Sequence, residues 1–420
     1  MKILFSVGEL ESNLTATSKI AVEMADLLSR MGHSCRVCGM CHTSRDDETT
    51  ASGVKLKRLH SSSFIVKSSD AFENYIKTSG LDRNRARSRF IKKHPLYSVG
   101  LFLKYNRKYT EKRENPLFIN KFTDYVKEFR PDAVIAVCKP IRSYELVLTS
   151  DIPAAKYAWQ MDPWGLHRLD NPENSSRIIE KEIAAFSRAE HIFTTPVLLS
   201  QYSGHDMYRP LLGKMTAVDF PNVKPLHTDA ESAIDFDPRY TNILFSGIVA
   251  DEFRSPERFL ESLSGLFEKG EKVRVYFMGT NNSPSLGSYM EKYPENVFFR
   301  NQVSLPQAFA TMKQADILLN ISNAIDNQVP SKIFDYFATG KPVINIQKIN
   351  NCPARVYFDR YPLAITFEDF SSAEYSPEDF IKETAGKNLN FEQVKDIFTS
   401  ATPEYVADQI LHILTQNKEI

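Results

Sequence analysis

The fold of this chain is decided by residues 314–347, which read QADILLNISNAIDNQVPSKIFDYFATGKPVINIQ. The apolar run 317–319 has the length and composition of a buried parallel strand. Pro330 suits the first turn of a short helix over 331–338, which Gly340 ends, and residues 342–344 begin another strand. Strand, loop, helix and strand in close succession predict one repeat of an α/β sheet.

The loop and the helix start of this stretch lie at the carboxyl end of a predicted strand, where α/β sheets bind ligands. Lys332 and Asp335 are three residues apart and therefore share one helix face. The lysine suits a phosphate, which helix N-termini also attract, and the carboxylate suits the hydroxyls of a ribose. A surface ion pair on an ordinary sheet helix explains the same spacing equally well.

Segments 330–336 (PSKIFDY) and 338–344 (ATGKPVI) resemble the donor-binding signature of GT-B glycosyltransferases, most closely the retaining group-1, or family-four, type. The resemblance implies an α/β fold of two Rossmann-like domains facing across a cleft. In that family a carboxylate at the position of Asp335 binds the ribose of a nucleotide-sugar. The family often carries two glutamates eight positions apart, and Asn327 stands at the first of these positions.

A second strand–helix series begins with NILFSG at 242–247. In GT-B enzymes a glycine-led loop at this point places an arginine and a lysine on the donor diphosphate, which needs about two positive charges in a partly dry cleft. Arg254 and Lys332 are the expected cations and catalytic groups, although a surface position explains Arg254 as well. The resemblance implies a nucleotide-sugar site made of Gly247, Arg254, Asn327, Pro330, Ser331, Lys332 and Asp335.

The amino-terminal stretch also predicts a Rossmann-like unit, with a strand at 2–7, a helix at 18–31 and a strand at 34–39. The dinucleotide motif G-x-G-x-x-G is absent, which argues against a nicotinamide or flavin cofactor. Asn13 and Thr15 follow the first strand, and we expect them to face the cleft on the acceptor side. Capping of the helix is an equally good explanation of these polar residues.

A predicted strand at 154–158 runs into WQMDPWGLHR at 159–168, which contains both tryptophans of the chain. In the related enzymes this strand end often carries a His–Asp pair near the acceptor. Asp162 matches the aspartate and becomes a third catalytic candidate, whereas Met161 stands in place of the histidine. His167 is the only histidine nearby and is an acceptor-side candidate. The alternative is that the tryptophans belong to the core and His167 to the surface.

The segment from 83 to 113 is strongly basic, with eleven lysines and arginines opposed by Glu111 alone and with aromatic and aliphatic residues between them. This composition suits an anionic membrane surface or a lipid-linked acceptor. A solvated helical insertion, which we assign to 83–115, explains it equally well. No recognition motif for nucleic acid is present. The chain as a whole has 52 basic and 52 acidic residues, so its net charge does not attract nucleic acid.

The length of 420 residues allows two domains of ordinary size. A Pro-rich stretch at 219–240 predicts a linker between an acceptor domain at 1–220 and a nucleotide-sugar domain at 221–400. By resemblance, a last helix at 401–420 returns to the first domain. The chain has no run of eighteen apolar residues, and its first residues predict a strand rather than a signal peptide. We expect a cytoplasmic protein, at the inner face of the membrane if the basic segment binds lipid.

Cys35, Cys38 and Cys41 have a spacing that occurs in metal and iron–sulfur sites. They fall on a predicted strand, however, where alternate side chains face opposite ways, so we expect no metal. The odd total of five cysteines indicates reduced thiols.

The resemblance implies a metal-independent, retaining, hexosyltransferase-like enzyme without a cofactor. It would move a sugar from a UDP- or GDP-linked donor to a glycan or lipid-linked acceptor in surface polysaccharide or glycoconjugate synthesis. A sugar-nucleotide epimerase and a non-catalytic nucleotide-sugar-binding protein remain alternatives on the same fold, and an RNA-binding protein is an alternative of a different class.

Overall fold

The computed structural model describes residues 1–10, 14–41, 47–51, 53–60, 63–80, 83–106, 115–137, 142–166, 172–322, 325–368 and 376–416. The chain forms two compact units, one of Met1–Asp219 with Val406–Ile420 and one of Phe220–Tyr405. No helix among these residues combines the length and hydropathy needed to cross a bilayer.

The described strands of the first unit form one sheet that is parallel except at its β3 edge. They are β1 (Lys2–Glu9), β2 (Ser34–Cys41), β3 (Asp47–Ala51), β4 (Val54–His60), β5 (Ala133–Val137), β6 (Ala155–Gln160), β7 (His191–Thr194) and β8 (Met215–Ala217). Their order is β3-β4-β2-β1-β5-β6-β7-β8, so the direction of winding reverses between β1 and β5. This arrangement is doubly wound, as a Rossmann-like unit requires.

Eight α-helices and one 3₁₀ helix are described in the same unit before its return segment. They are α1 (Ala16–Arg30), α2 (Ser63–Ser79), α3 (Arg83–Lys93), α4 (Pro95–Tyr105), α5 (Asn115–Phe129), α6 (Arg142–Thr149), α7 (Pro172–Ser187), α8 (Pro196–Ser203) and the 3₁₀ helix Asp206–Lys214. Helices α2 to α4 occupy a stretch for which the sequence offered helical structure only as one alternative, at 83–115. Phe72, Ala86 and Phe90 form the small core of these helices. The many cations between these residues obscure the apolar periodicity in the sequence.

The cysteine-containing strand was predicted correctly. Cys35, Cys38 and Cys41 all lie on β2 as buried free thiols. Burial raises the pKa of Cys35 to about 11, against an opposing hydrogen bond from Ser29. A thiol with so high a pKa stays protonated at neutral pH and is unreactive.

The second unit contains a fully parallel sheet among its described residues. Its strands are β9 (Thr241–Ala250), β10 (Val273–Asn282), β11 (Val297–Asn301), β12 (Ile317–Ile321), β13 (Val343–Ile346) and β14 (Ala364–Phe367). The order β11-β10-β9-β12-β13-β14 is that of the Rossmann fold and reverses between β9 and β12. The expected α/β class with two Rossmann-like sheets is therefore confirmed.

The helices of the second unit cover this sheet and bury its aliphatic core. They are α9 (Glu257–Glu268), α10 (Pro284–Lys292), α11 (Leu305–Gln314), α12 (Lys332–Ala338), α13 (Arg355–Phe358), α14 (Pro377–Thr384), α15 (Phe391–Ile397) and the 3₁₀ helix Thr399–Ala401. Helix α16 (Pro403–Gln416) begins in this unit and supplies the return segment of the first.

Strands β9 and β10 continue beyond their predicted ends. The sequence predicts a turn at 279–281, but these residues pair with β9 in a ladder that runs to Ala250 and Asn282. Gly279 has φ +142°, and a Cβ there would lie 1.9 Å from the carbonyl oxygen of Gly247 on the neighbouring strand. Two strands meet this closely only because position 279 has no side chain.

A buried carboxyl holds the turn that follows β6. Glu182 on α7 is fully buried. Its Oε2 accepts hydrogen bonds from the N–H of Gly165 at 2.9 Å and from the Tyr208 hydroxyl, and its Oε1 accepts one from the Tyr202 hydroxyl at 2.9 Å. A Cβ at Gly165 would lie 2.5 Å from Oε2. Glu182 therefore fixes the backbone of the turn that carries Asp162.

Burial raises the pKa of Glu182 from 4.5 to about 7, and the three hydrogen bonds oppose only part of this shift. Between these two values the folded protein holds the proton more tightly than the unfolded chain does. The stability contributed by Glu182 is therefore fully present below pH 4.5 and is lost as the pH rises through 7.

We expect the Glu182→Gln variant to lack this decrease in stability as the pH rises. The amide oxygen can accept hydrogen bonds from Gly165 and Tyr208 while the NH₂ group donates to Tyr202, and none of this depends on pH. From pH 5 to pH 8 the free energy of unfolding of the wild type should fall by about 2 kcal/mol relative to the variant, as measured by urea denaturation. Glu180→Gln, at an exposed position of the same helix, is the control and should follow the wild type. An unchanged pH profile in Glu182→Gln would contradict the assignment.

Candidate functional site

A cavity of about 320 Å³ opens at the carboxyl ends of β9 and β10 in the second unit. Its described lining includes Ser246, Gly247, Gly279, Val303, Leu305 and Lys332. The strand order reverses beside β9, and doubly wound sheets bind their ligands at such a point. The volume is that of a small-molecule site, and the lining combines strand residues, one cation and apolar side chains.

Ser246, in the second half of β9, is joined to helix α12 by four hydrogen bonds. Lys332 Nζ donates to the carbonyl oxygen of Ser246 at 2.9 Å and to its Oγ at 3.3 Å. The Tyr336 hydroxyl accepts from the Ser246 N–H at 3.0 Å and donates to the same carbonyl at 3.2 Å. Lys332 and Tyr336 are four residues apart and share one helix side. These bonds hold the lysine ammonium at the wall of the cavity.

Arg254 is brought back towards β9 by a tight turn. Its N–H donates to the carbonyl oxygen of Ala250 at 2.7 Å. Within the turn, the carboxylate of Asp251 accepts from the N–H and the hydroxyl of Ser285 at 3.1 and 2.7 Å. A Cβ built on Gly247 would lie 3.8 Å from Nη1 of Arg254. The guanidinium therefore lies beside the glycine that lines the cavity.

The two cations influence each other. Loss of hydration lowers the pKa of Lys332, Asp335 opposes this change, and the charge of Arg254 lowers the pKa further. Burial also lowers the pKa of Arg254. Two partly dehydrated cations beside Ser246 and Gly247 repel each other, so an anion with two negative charges would relieve both the repulsion and the loss of hydration.

The remaining predicted donor residues of α12 and its approach lie close by in the chain. Ser331 occupies the N-cap position with helical dihedral angles, and its carbonyl oxygen accepts from Asn222 Nδ2 at 3.4 Å. The Pro330 carbonyl oxygen accepts from Ile333 N at 3.2 Å. Asp335 is half-buried on the helix but is not among the described residues that line the cavity. The ribose role of Asp335 therefore stays a prediction.

A buried polar ladder supports the strand that leads to Asn327. Asn320 Nδ2 donates to Asn345 Oδ1 at 2.7 Å, and the Ser322 hydroxyl donates to the same oxygen at 2.9 Å. Asn345 Nδ2 donates in turn to Thr366 Oγ1 at 3.2 Å on β14. Asn327 follows this ladder and is itself buried, at 3% exposure. The ladder fixes the end of β12, from which the chain runs to α12.

The acceptor-side candidates belong to the first unit. Thr15 caps α1, accepting from Ser18 N at 3.3 Å, as the capping interpretation expects. Asp162 is half-buried in the turn after β6, and its carbonyl oxygen accepts from Gln160 Nε2 at 2.5 Å. Asn13 and His167 lie outside the described residues, so their predicted roles are not tested.

Two residues of this site were missed by the sequence reasoning. Tyr336 lies inside the recognised motif, and its position four residues after Lys332 was an available signal. Ser246 carries no signal in the sequence, because its partners on α12 are 86 and 90 residues away.

No protein-family model matches the sequence, and no curated protein is significantly similar to it. Solved structures do match. The lipopolysaccharide outer core galactosyltransferase WaaB, in its apo form, is 13% identical, with a TM-score of 0.51 over 99% of this chain and 100% of that one.

Two other matches have ligands or activities of a related kind. The E. coli trehalose-6-phosphate protein bound to UDP-2-fluoro glucose is 10% identical, with a TM-score of 0.59 over 99% of each chain. A proposed UDP-N-acetylglucosamine 2-epimerase from Listeria monocytogenes is 11% identical, with a TM-score of 0.54 over 100% of this chain and 96% of that one. Structural matches at such low sequence identity establish the fold alone. The chain has the GT-B fold of the glycosyltransferases.

Proposed function

We propose that this protein is a glycosyltransferase that takes a nucleotide-sugar, UDP- or GDP-linked, as its donor and binds it in the second unit. One observation carries the proposal: Lys332 lines the cavity and binds Ser246, and Arg254, although not a described lining residue, lies beside the lining residue Gly247. Apolar lining residues such as Val303 and Leu305 suit the nucleoside, and the two cations suit the diphosphate.

The chemistry follows from this charge arrangement. The bond between the anomeric carbon and the diphosphate oxygen breaks, and the acceptor hydroxyl oxygen takes its place on the carbon. Negative charge develops on the departing diphosphate, and fixed cations already at that position lower the barrier without reorganising. The hydroxyl proton leaves with the diphosphate or passes to solvent. Neither a metal nor a cofactor is assigned to this step, and the anomeric configuration is retained.

We assign the acceptor, a glycan or lipid-linked sugar of surface polysaccharide or glycoconjugate synthesis, to the first unit. Asp162 is the candidate there because the buried carboxyl of Glu182 fixes the backbone of its turn through Gly165. Asn13, Thr15 and His167 complete the proposed acceptor side. No nucleic acid partner is proposed.

A sugar-nucleotide epimerase is the second candidate, favoured by the structural match to a proposed epimerase. The two activities differ in their products. An epimerase converts the nucleotide-sugar alone to its epimer, whereas a transferase releases nucleoside diphosphate only as an acceptor is glycosylated. Incubation of UDP- and GDP-sugars with and without acceptor sugars, followed by chromatography, separates the two candidates.

We expect Asp335→Ala to weaken the binding of UDP or GDP by more than tenfold, because the ribose hydroxyls lose a carboxylate acceptor. Isothermal titration calorimetry measures this change directly. Asp396→Ala removes an exposed carboxylate elsewhere in the same unit and is the matched control. An affinity in Asp335→Ala equal to that of the control would refute the ribose role.

We expect Arg254→Ala to lower kcat by about a hundredfold while changing KM for the donor much less, because its charge acts mainly on the departing diphosphate. Arg254→Lys should recover part of the rate. Arg258→Ala, at an exposed position of α9, is the control and should turn over like the wild type. Wild-type turnover in Arg254→Ala would remove this residue from the diphosphate site.

A further inference from the structure

Helices α3 and α4 expose an unusual concentration of apolar side chains. Five of the twelve large hydrophobic residues exposed in the described chain lie between residues 91 and 102: Ile91, Leu96, Tyr97, Val99 and Phe102. Leu96 and Phe102 are 69% and 67% exposed, so most of each side chain faces water. Leu96, Val99 and Phe102 recur at three-residue intervals along α4 and adjoin one another on its surface.

These side chains are not needed to hold the helices in place. Phe72, Ala86 and Phe90 form the core that joins α2 to α3. Helix α4 packs on α2 through Gly100, where a Cβ would lie 2.0 Å from Ser68 Oγ. The exposed residues therefore lie outside the packing that defines this part of the fold, and their exposure needs another explanation.

The surface beside them is cationic. Arg85, Arg87, Arg89, Lys92 and Lys93 are all exposed on α3. No aspartate or glutamate occurs between residues 83 and 106, although the chain as a whole has equal numbers of basic and acidic residues. Residues 83–106 therefore carry a net positive charge of their own.

We propose that the surface formed by the exposed residues of α3 and α4 binds the face of an anionic lipid bilayer. The apolar side chains of α4 enter the boundary between headgroups and acyl chains, and the cations of α3 bind lipid phosphates. This proposal does not depend on glycosyl transfer. It would bring a lipid-linked acceptor to the unit to which we assign acceptor binding.

The chemistry of the surface favours a bilayer over other partners. Protein–protein interfaces require a matching rigid shape, whereas a fluid bilayer adapts to apolar residues spread around a helix. Single-stranded nucleic acid stacks on aromatic rings, whereas three of the five exposed apolar side chains, Ile91, Leu96 and Val99, are aliphatic. Aliphatic and cationic residues side by side are what a headgroup boundary accommodates.

Sedimentation with lipid vesicles tests the proposal. The full-length protein should bind vesicles of equal parts phosphatidylglycerol and phosphatidylcholine at least tenfold more strongly than vesicles of phosphatidylcholine alone. Arg85→Ala/Arg87→Ala/Arg89→Ala and, separately, Leu96→Ser/Phe102→Ser should each weaken binding to the anionic vesicles by about tenfold or more. Raising the salt concentration should weaken wild-type binding further.

Matched controls distinguish binding by this surface from non-specific adsorption to vesicles. Val356→Ser removes a side chain that is 56% exposed in the other unit, and Lys395→Ala removes an exposed cation there. Both should bind vesicles like the wild type. Circular dichroism and UDP or GDP affinity should be unchanged in all of these variants, so a failure of the lipid proposal is distinguishable from a failure of the donor site.

Three results would overturn the proposal. The first is equal binding to neutral and anionic vesicles, or no binding to either. The second is unchanged vesicle binding in both sets of α3 and α4 variants. The third is a dimer in sedimentation velocity that Leu96→Ser/Phe102→Ser converts to monomer, since the surface would then bind a second copy of the chain.

Discussion

The hydrogen bonds from the Lys332 ammonium to Ser246 are the interaction on which the second unit's site depends. A lysine withdrawn from water needs oxygen acceptors or an anion, because an uncompensated buried charge is strongly unfavourable. Ser246 provides two such oxygens on β9, and the Tyr336 hydroxyl binds the N–H and carbonyl of the same residue. Helix α12 cannot move away from β9 without breaking these bonds, so the cavity is formed before any ligand arrives.

Hydrogen bonds also hold the turn that carries Arg254. Asp251 anchors its start to Ser285 at the beginning of α10, and Lys348 Nζ, beyond β13, donates to the Glu252 carbonyl at 2.6 Å. The cation thus reaches the Gly247 end of β9 from a turn held on two sides. Preorganised charge of this kind favours the binding of an anion whose charge grows during a reaction.

Each unit fixes a backbone segment through an ionisable side chain that is withdrawn from water, a carboxyl in the first unit and an ammonium in the second. In the first unit a buried carboxyl, Glu182, accepts hydrogen bonds from Gly165 and two tyrosines, and burial raises its pKa towards neutrality. In the second, the half-buried ammonium of Lys332 donates to a strand end and burial lowers its pKa. In each case removal from water shifts the group towards its neutral form, and the hydrogen bonds determine where the neighbouring backbone lies.

The sequence by itself determined the local elements, since apolar runs and caps act between near neighbours. The strand at 317–319 and the helix ended by Gly340 both follow from such signals. Strand β14 was not predicted because it is only four residues long and pairs with the earlier strand β13, and β3 was not predicted because its polar residues, DETTA, show no apolar pattern although its partner β4 follows directly. Only the tertiary structure decided that 279–281 forms a strand and that Ser246 holds Lys332. Those contacts join residues tens of positions apart, and their energies depend on a geometry that no local pattern encodes.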